Sequence, residues 1–364
     1  MRRVMEVSLL VVVLVVVLAL AVADLGLSAS AFPQNSNDHK DQNQTFKKDV
    51  DVVSVYFTVR DSKKQLASQL DQQQFHVFED GREQPIRFFA HHSDVKLNVG
   101  MLLDTGTGMN WILDEEASAT SAFLNRVVRP TDLGFILSYH SRVDTLQVPT
   151  SDTEQLKKKV DEIRSWGTNS SSPSQASHPL PPFPGTPPIG TTGQPYNLQR
   201  EAHLYDAIRV STLRYLEHEV GRKAVVIVAL SGDSRSESTL EDAMEVLLQN
   251  DVIAYVLQIY DAPRDHVDHC DVIHVYAHDS QGEEVLKKLA EATGGRMLKV
   301  KGMDKLELAL DEISEELHHQ YSLGYYPDNQ NWDGKFRKIQ INAAEHGYKV
   351  FARKGYYGYP KENR

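Results

Sequence analysis

Four runs of apolar residues in the middle of the chain alternate with stretches of helical spacing, and this alternation constrains the fold most strongly. The runs cover residues 98–103, 133–139, 224–230 and 252–259. They show no period of two, which is typical of strands buried on both faces. Strands that alternate with helices in this way indicate a largely parallel sheet covered by helices on both sides. We therefore predict an α/β fold with a doubly wound, mostly parallel sheet.

The two ends of the chain have a different pattern, because apolar and polar residues alternate there with the period of a half-buried strand. This pattern occurs at residues 53–59 and returns after Gln320. We predict that both ends form one flanking β module, with the α/β domain inserted between its halves. The alternative is that the ends are edge extensions of the α/β sheet. The predicted divisions are 49–93 and 321–357 for the module, 94–320 for the α/β domain and 358–364 for a tail.

The first residues of the chain have the order of a secretory signal. Two arginines precede an apolar run at residues 7–23, and small-residue cleavage sites end at Ala23 and Ala31. Residues 1–31 are therefore predicted to be a signal peptide; the alternative is an uncleaved N-terminal anchor, because the run is close to the minimum length of a membrane span. Residues 32–48 are polar and aperiodic, which indicates a flexible tether. The protein is thus predicted to be secreted or to lie in the periplasm or cell envelope.

Net charge and cysteine content exclude several classes of protein. The chain has 39 Lys and Arg against 50 Asp and Glu, a formal net charge of −11, and a sequence pI near 5.7. This balance gives no overall attraction to nucleic acid or anionic lipid. We expect no nucleic-acid partner, and contact with a membrane only through an uncleaved N-terminal segment. The single cysteine, Cys270, excludes an intramolecular disulfide and a cysteine-based zinc or iron–sulfur cage.

One stretch of the α/β domain is too poor in apolar residues to pack. Residues 165–195 are rich in Pro, Ser, Gly and Thr, which predicts an exposed loop between a helix and the segment that enters the next helix. We interpret it as a surface insertion. The alternative is a lid or a loop that contacts a partner.

Several local strings resemble those of von Willebrand factor type A (VWA) domains. The α/β domain carries Asp104-Thr105-Gly106 after its first apolar run, Leu204-Tyr205-Asp206-Ala207 at a helix start, and Ser231-Gly232-Asp233 after a later run. The chain ends resemble the secreted VWA-related proteins described from Acidobacteria, in strings at 75–81, 319–327, 333–337 and 352–356. The resemblance covers residues 49–357. It implies a Rossmann-like, VWA-type sheet and a role in binding.

In that family, hydroxyl and carboxylate oxygens at the carboxyl ends of the strands hold a Mg²⁺ ion, which keeps one position for an acidic group of the partner. Asp104 matches the first aspartate of this site. Gly106 and Gly108 replace its two serines, and Ala202 replaces its threonine. Asp233 is displaced by one residue from the expected position. The resemblance therefore implies a degenerate metal-ion-dependent adhesion site.

Two hypotheses for this site follow. In the first, the site needs no metal, no cofactor is expected, and N–H groups of the glycine-containing loop hold Asp104 as a carboxylate. In the second, Asp104, Thr107 and Asp233 form a rearranged Mg²⁺ site. Both describe an exported, non-catalytic protein that binds an unknown protein or matrix partner.

A secreted hydrolase is the alternative from another functional class. Asp104-Thr105-Gly106 is the local motif of aspartic proteases, but that chemistry needs two carboxylates close together. The sequence has no second Asp-Thr-Gly, no Gly-x-Ser-x-Gly and no glycine-rich phosphate loop. Because no catalytic constellation is complete, the chain is predicted not to be an enzyme.

Overall fold

The computed structural model describes residues 52–91, 95–105, 113–168, 202–229, 232–260, 280–301 and 304–359, all within one compact unit, Val50–Arg364. The signal peptide and tether predicted for residues 1–48 lie outside the described residues, as does most of the loop predicted at 165–195. Among the described residues, no helix is both long enough and apolar enough to cross a membrane.

The strands and helices follow one another in three groups: four strands, then the alternating α/β elements, then four strands. The strands are β1 (Val53–Arg60), β2 (Phe75–Glu79), β3 (Arg82–Gln84), β4 (Phe88–His91), β5 (Leu97–Asp104), β6 (Leu133–Tyr139), β7 (Val143–Thr150), β8 (Arg222–Ala229), β9 (Val252–Tyr260), β10 (Met297–Lys301), β11 (Tyr321–Tyr325), β12 (Phe336–Ala343), β13 (Lys349–Ala352) and β14 (Gly355–Tyr357). The helices are α1 (Leu113–Val127), α2 (Thr153–Thr168), α3 (Leu204–Ser211), α4 (Leu240–Gln249), α5 (Ser280–Thr293) and α6 (Asp304–His318).

The inserted domain contains a six-stranded sheet with the order β7-β6-β5-β8-β9-β10. Neighbouring strands are parallel, except that β7 runs antiparallel to β6. Numbered from the first strand of the domain, the order is 3-2-1-4-5-6, which is that of a doubly wound α/β sheet.

Helices cover both faces of this sheet, which explains the unbroken apolar runs. Met101 and Leu103 of β5 pack with α1, α2 and α6 on one face. Leu102 lies on the other face, in a cluster with α3, α4 and α5. Gly100 allows close packing, because a Cβ atom at that position would lie 2.2 Å from the Cζ atom of Phe135.

The two chain ends form a β module of two four-stranded sheets, with the orders β13-β1-β11-β4 and β14-β12-β2-β3. Each sheet combines strands from both ends, and the pairings are antiparallel. One apolar cluster lies between the sheets, and within it the rings of Phe57 and Tyr321 stack with centroids 5.3 Å apart. The predicted fold class, a doubly wound sheet with a flanking β module from both ends, is confirmed. The alternative of edge extensions on the α/β sheet is wrong.

The chain leaves the β module and returns to it at neighbouring positions. Strands β4 and β11 are adjacent and antiparallel, and Tyr321 at the start of β11 lies opposite His91 at the end of β4. The α/β domain is therefore inserted within a single strand pair, and the insertion leaves both sheets of the module complete.

A cluster of arginines and glutamates joins the module to the inserted domain. Arg60, at the end of β1, lies with its Nη2 atom 2.6 Å from Oε1 of Glu316 in α6. Arg296, just before β10, contacts the same oxygen at 2.5 Å and Oε1 of Glu312 at 2.8 Å. Glu316 is fully buried. The two arginines supply the positive charge that a buried carboxylate needs.

Candidate functional site

The site implied by the resemblance lies at the carboxyl edge of the central strands. Asp104 is the last residue of β5, which lies between β6 and β8, and it is 4% exposed. Open α/β sheets bind ligands at this edge. Thr107, like Gly106 and Gly108, lies outside the described residues, so its role as a ligand stays a prediction.

Asp233 connects the loop after β8 to the start of α3. Its Oδ1 atom accepts hydrogen bonds from the N–H of Tyr205 at 3.1 Å and from the hydroxyl of Ser236 at 2.5 Å. Its Oδ2 atom accepts one from the N–H of Ser236 at 3.2 Å. Three donors from within the protein therefore use this carboxylate. These bonds use three of the about four acceptor positions of a carboxylate, so they leave little capacity for the predicted metal ion.

Asp206 makes the reciprocal connection, from α3 to the same loop. Its Oδ1 atom accepts hydrogen bonds from the N–H and the hydroxyl of Ser238, at 3.1 and 2.6 Å, and its Oδ2 atom accepts one from the N–H of Glu237 at 3.0 Å. Burial raises the pKa of this carboxyl, but its hydrogen bonds, including one to His203, lower the pKa more. The net pKa therefore lies below the ordinary value, and the ionised side chain holds the loop in place.

Glu116 is a buried carboxyl group that sequence analysis missed. It lies in α1 and is 2% exposed, and neither of its carboxylate oxygens has a hydrogen-bond partner among the described residues. Burial raises the pKa of Glu116 well above its ordinary value, and the charge of Asp104 raises it further. The protonated, neutral form is thereby favoured. The available sequence signal was a glutamate in the buried stripe of α1, one turn before the fully buried Thr120.

Tyr139, at the end of β6, shows that these carboxyl groups share one environment. Burial raises the pKa of its phenol well above the ordinary value, and three acidic groups raise it further, namely Asp104, Glu116 and Asp233. Its hydroxyl donates to the carbonyl oxygen of Val228 at 2.9 Å. The edge thus brings together two of the three predicted site residues with a carboxyl and a phenol that sequence analysis did not name.

Comparisons with solved structures find similar chains at low sequence identity. The chain is similar to proximal thread matrix protein 1 (PTMP1) from the mussel byssus, with 10% identity over 64% of this chain and 49% of that chain and a TM-score of 0.43. It is similar to BatB from Bacteroides thetaiotaomicron, with 15% identity over 60% of this chain and 98% of that chain and a TM-score of 0.39. It is also similar to the vWF domain of the pilus tip protein Mfa5 from Porphyromonas gingivalis, with 8% identity over 61% and 94% and a TM-score of 0.41. The match spans about half the length of the mussel protein. No protein-family model matches the chain, and no curated protein matches it.

The strand order and the placement of the sequence strings identify the fold of the inserted domain. The sheet has the doubly wound order with its third strand antiparallel, and Asp104 follows its first strand. The segment that contains Asp206 and the loop that contains Asp233 are joined by hydrogen bonds in both directions at the same edge. The inserted domain has a VWA-type fold.

The described residues do not fit the Mg²⁺ site of VWA domains. Mg²⁺ requires a nearly octahedral set of oxygen ligands. Ala202, at the position of the family's threonine, has no side-chain oxygen, and Asp233 is occupied by three donors. In the described parts of the chain, no three His, Cys, Asp or Glu side chains are grouped so that they could hold a metal. Of the two other acids at this edge, Glu116 has a raised pKa that favours its neutral form, which leaves Asp104 as the carboxylate to which this restriction does not apply.

We expect the replacement Glu116→Gln to change how stability depends on pH. Folding raises the pKa of Glu116, so above the ordinary value of about 4.3 the folded protein keeps a proton that the unfolded chain releases. Stability therefore falls as pH rises from that value towards the folded pKa, by up to about 1.4 kcal/mol per pH unit. The variant lacks this proton, so its stability relative to the wild type should grow with pH.

Urea unfolding of both proteins between about pH 4.5 and pH 8 measures this difference. Glu345→Gln is the matched control, because Glu345 is exposed, and it should follow the wild type. Parallel pH profiles for the wild type and Glu116→Gln would contradict the assignment of a buried, protonated carboxyl.

Proposed function

We propose that this is an exported, non-catalytic VWA-type protein that binds a protein or matrix partner without a metal ion at its degenerate site. The hydrogen bonding of Asp233 is the main support for this proposal, because its carboxylate accepts three hydrogen bonds from within the protein. A metal-dependent adhesion site needs such a group as a ligand for a cation. Here the acidic groups instead hold the loops at the edge of the sheet, and the partner contacts the protein directly.

Export is part of this proposal and is supported by the N-terminal sequence. Residues 1–31 have the charged, apolar and small-residue segments of a secretory signal. A location outside the cytoplasmic membrane, secreted or in the cell envelope, is compatible with a single cysteine, because export permits disulfides without requiring them.

The hydrogen bonds near α3 support a binding role over hydrolysis. The Nδ1 atom of His203 lies 3.3 Å from a carboxylate oxygen of Asp206, as in the orienting half of a catalytic triad. The neighbouring hydroxyl of Ser238, however, donates to Asp206 instead of to His203. Activation of a serine requires its hydroxyl to bond the histidine. This trio therefore stabilises a loop and provides no activated nucleophile.

We expect Mg²⁺ and Mn²⁺ to leave the melting temperature of the wild type unchanged. A cation bound at this edge would stabilise the folded state by about 2.7 kcal/mol at a hundredfold excess over its Kd, which a thermal-shift measurement detects. Asp104→Ala, which lacks the first candidate ligand, should also show no response. A rise in melting temperature with millimolar Mg²⁺ that Asp104→Ala abolishes would contradict the proposal and favour Asp104, Thr107 and Asp233 as ligands.

A binding experiment tests whether the interaction with the partner needs a metal ion. Tagged wild-type protein is used to capture its partner from a cell-envelope extract, once with Mg²⁺ and once with EDTA. The same partner should be retained in both conditions. Loss of that partner in EDTA would mean that the interaction depends on a metal.

A further inference from the structure

A groove of about 580 Å³ lies between the β module and the VWA-type domain. Its walls come from the ends of β1 and β13 on one side and from α5, β10 and α6 on the other. Its volume is within the range of about 300–1,000 Å³ that is typical of binding sites. None of its lining residues is Asp104, Glu116 or Asp233, so this seam groove is a separate surface from the degenerate site.

The most buried part of the seam groove is nearly neutral. Arg60 and Arg296 lie there, and both are held by the ion pairs with Glu312 and Glu316. The guanidinium of Arg296 also lies 5.6 Å from the ring centroid of Phe351. These ion pairs restrain both arginines before any ligand binds, which lowers the cost of ordering them on binding.

The rim of the seam groove carries one more positive than negative charge. Lys64, Lys287 and Lys349 line it, and none of their ammonium groups forms an ion pair with a described acidic residue. Lys299 is paired with Glu283 at 2.5 Å, and Asp61 accepts hydrogen bonds from the backbone of its own turn. Glu291 is the remaining acid on the rim. In a chain with a net charge of −11, this local excess favours an acidic ligand.

Strand β10 gives the seam groove a surface for an extended backbone. It is an edge strand that pairs with β9 on one side, and no described strand pairs with its other side. Edge strands of this kind can accept an added strand from a partner. Lysines on an edge strand also prevent unwanted strand addition. That role does not explain Lys64, Lys287 and Lys349, which line the groove from outside β10.

We propose that the seam groove binds an extended, acidic segment of a partner protein, which adds as a strand to β10 and places its carboxylates near Lys64, Lys287 and Lys349. The backbone of β10 provides hydrogen bonds, and the lysines select the charge of the segment. This assignment rests on the proposed binding function and specifies the chemistry of its partner.

Fluorescence anisotropy with labelled ten-residue peptides tests the proposal. The first peptide alternates Val and Glu, the second alternates Val and Lys, and the third is the acidic peptide with central prolines, which cannot join a sheet. We expect the acidic peptide to bind, the basic peptide not to bind, and the proline peptide to bind at least about tenfold more weakly. The double variant Lys287→Glu/Lys349→Glu should weaken acidic-peptide binding at least about tenfold. Lys157→Glu, an exposed lysine on α2, is the control and should have no effect.

Each other outcome overturns the proposal. Equal binding of the acidic and basic peptides, or full binding by the double variant, excludes selection by these lysines. Binding of dextran sulfate without binding of the acidic peptide indicates a polysaccharide ligand instead. No binding of any probe means that the seam groove does not bind an extended peptide. Capture of the envelope partner by the double variant separates this proposal from the proposed binding function. If capture is unchanged, the proposal for the seam groove is wrong while the binding function stands.

Discussion

Replacing Arg337 by methionine is expected to lower the free energy of unfolding by about 3–5 kcal/mol, out of a typical total of about 5–15 kcal/mol for a domain. Arg337 lies in β12 and is almost completely buried in the β module. Its Nη1 and Nη2 atoms donate to the carbonyl oxygens of Asn329 and Asn331. Its guanidinium lies 4.9 Å from the ring centroid of Trp332. Methionine replaces the aliphatic part of this side chain but has none of these donors.

The substitution also leaves a buried carboxylate without its cation. Glu79 is 3% exposed, and its Oε1 atom lies 3.8 Å from Nη1 of Arg337. Its Oε2 atom accepts hydrogen bonds from the hydroxyls of Tyr325 and Tyr356, each at 2.8 Å. Burial raises the pKa of both tyrosines, and the charge of Glu79 raises it further, so both stay protonated donors. They do not replace the positive charge, and an unpaired buried charge is strongly destabilising.

Urea unfolding of the two proteins measures this effect, and the neighbouring residue provides the control. Lys338 follows Arg337 in the same strand, but it is exposed, so Lys338→Met changes the same kind of side chain without disturbing buried groups. We expect the control to stay within about 0.5 kcal/mol of the wild type. A loss below about 1 kcal/mol in Arg337→Met would show that the buried ion pair contributes little.

Ending the chain after Gln320 is expected to prevent the β module from folding. Strand β11 lies between β1 and β4, and β12 lies between β14 and β2, so the truncation removes a central strand from each sheet. Val55, Phe57, Phe75 and Val77 then lose the residues that cover them. At about 1.5–3 kcal/mol for each large buried side chain, the loss equals the stability of a whole domain.

Hydrogen exchange measures this outcome directly. Amide protection in β1 and β2 should disappear in the shortened chain, because those strands lose the partners that hold their N–H groups. A chain that ends at Tyr359 is the control, since it keeps each described strand, and it should match the full-length protein. Retained protection in β1 of the shortened chain would show that the N-terminal half of the module folds alone.

The central strands could be predicted from the sequence because strands buried on both faces form continuous runs of apolar residues. All eight residues of β5 are buried, and Asp104 lies at its end as the apolar run indicates. Strand β7 was missed for the opposite reason. It is an edge strand with irregular pairing to β6, and residues such as Asp144 and Gln147 leave no apolar pattern.

The chemistry of the candidate site was less accessible to sequence analysis, because it depends on which groups meet across elements. The pKa of Glu116 is raised first by its burial and then by the charge of Asp104, and both depend on how α1 packs in the tertiary structure. Asp233 was recognised as displaced by one residue. That the displaced side chain binds Tyr205 and Ser236 follows from the position of α3, which the motif alone does not give.

The insertion of one domain within a strand pair also sets the order in which the protein is completed. Strands β1 to β4 are synthesised first, but β1 pairs with β11 and β13, near the other end. The hydroxyl of Tyr321 reaches the carbonyl oxygen of Ala67 across 254 positions of sequence. The VWA-type domain has local partners and can fold during this interval, whereas apolar β1 has to wait. The β module is therefore completed only when the C-terminal strands arrive, and until then the nascent chain presents unpaired strands, which are prone to aggregation.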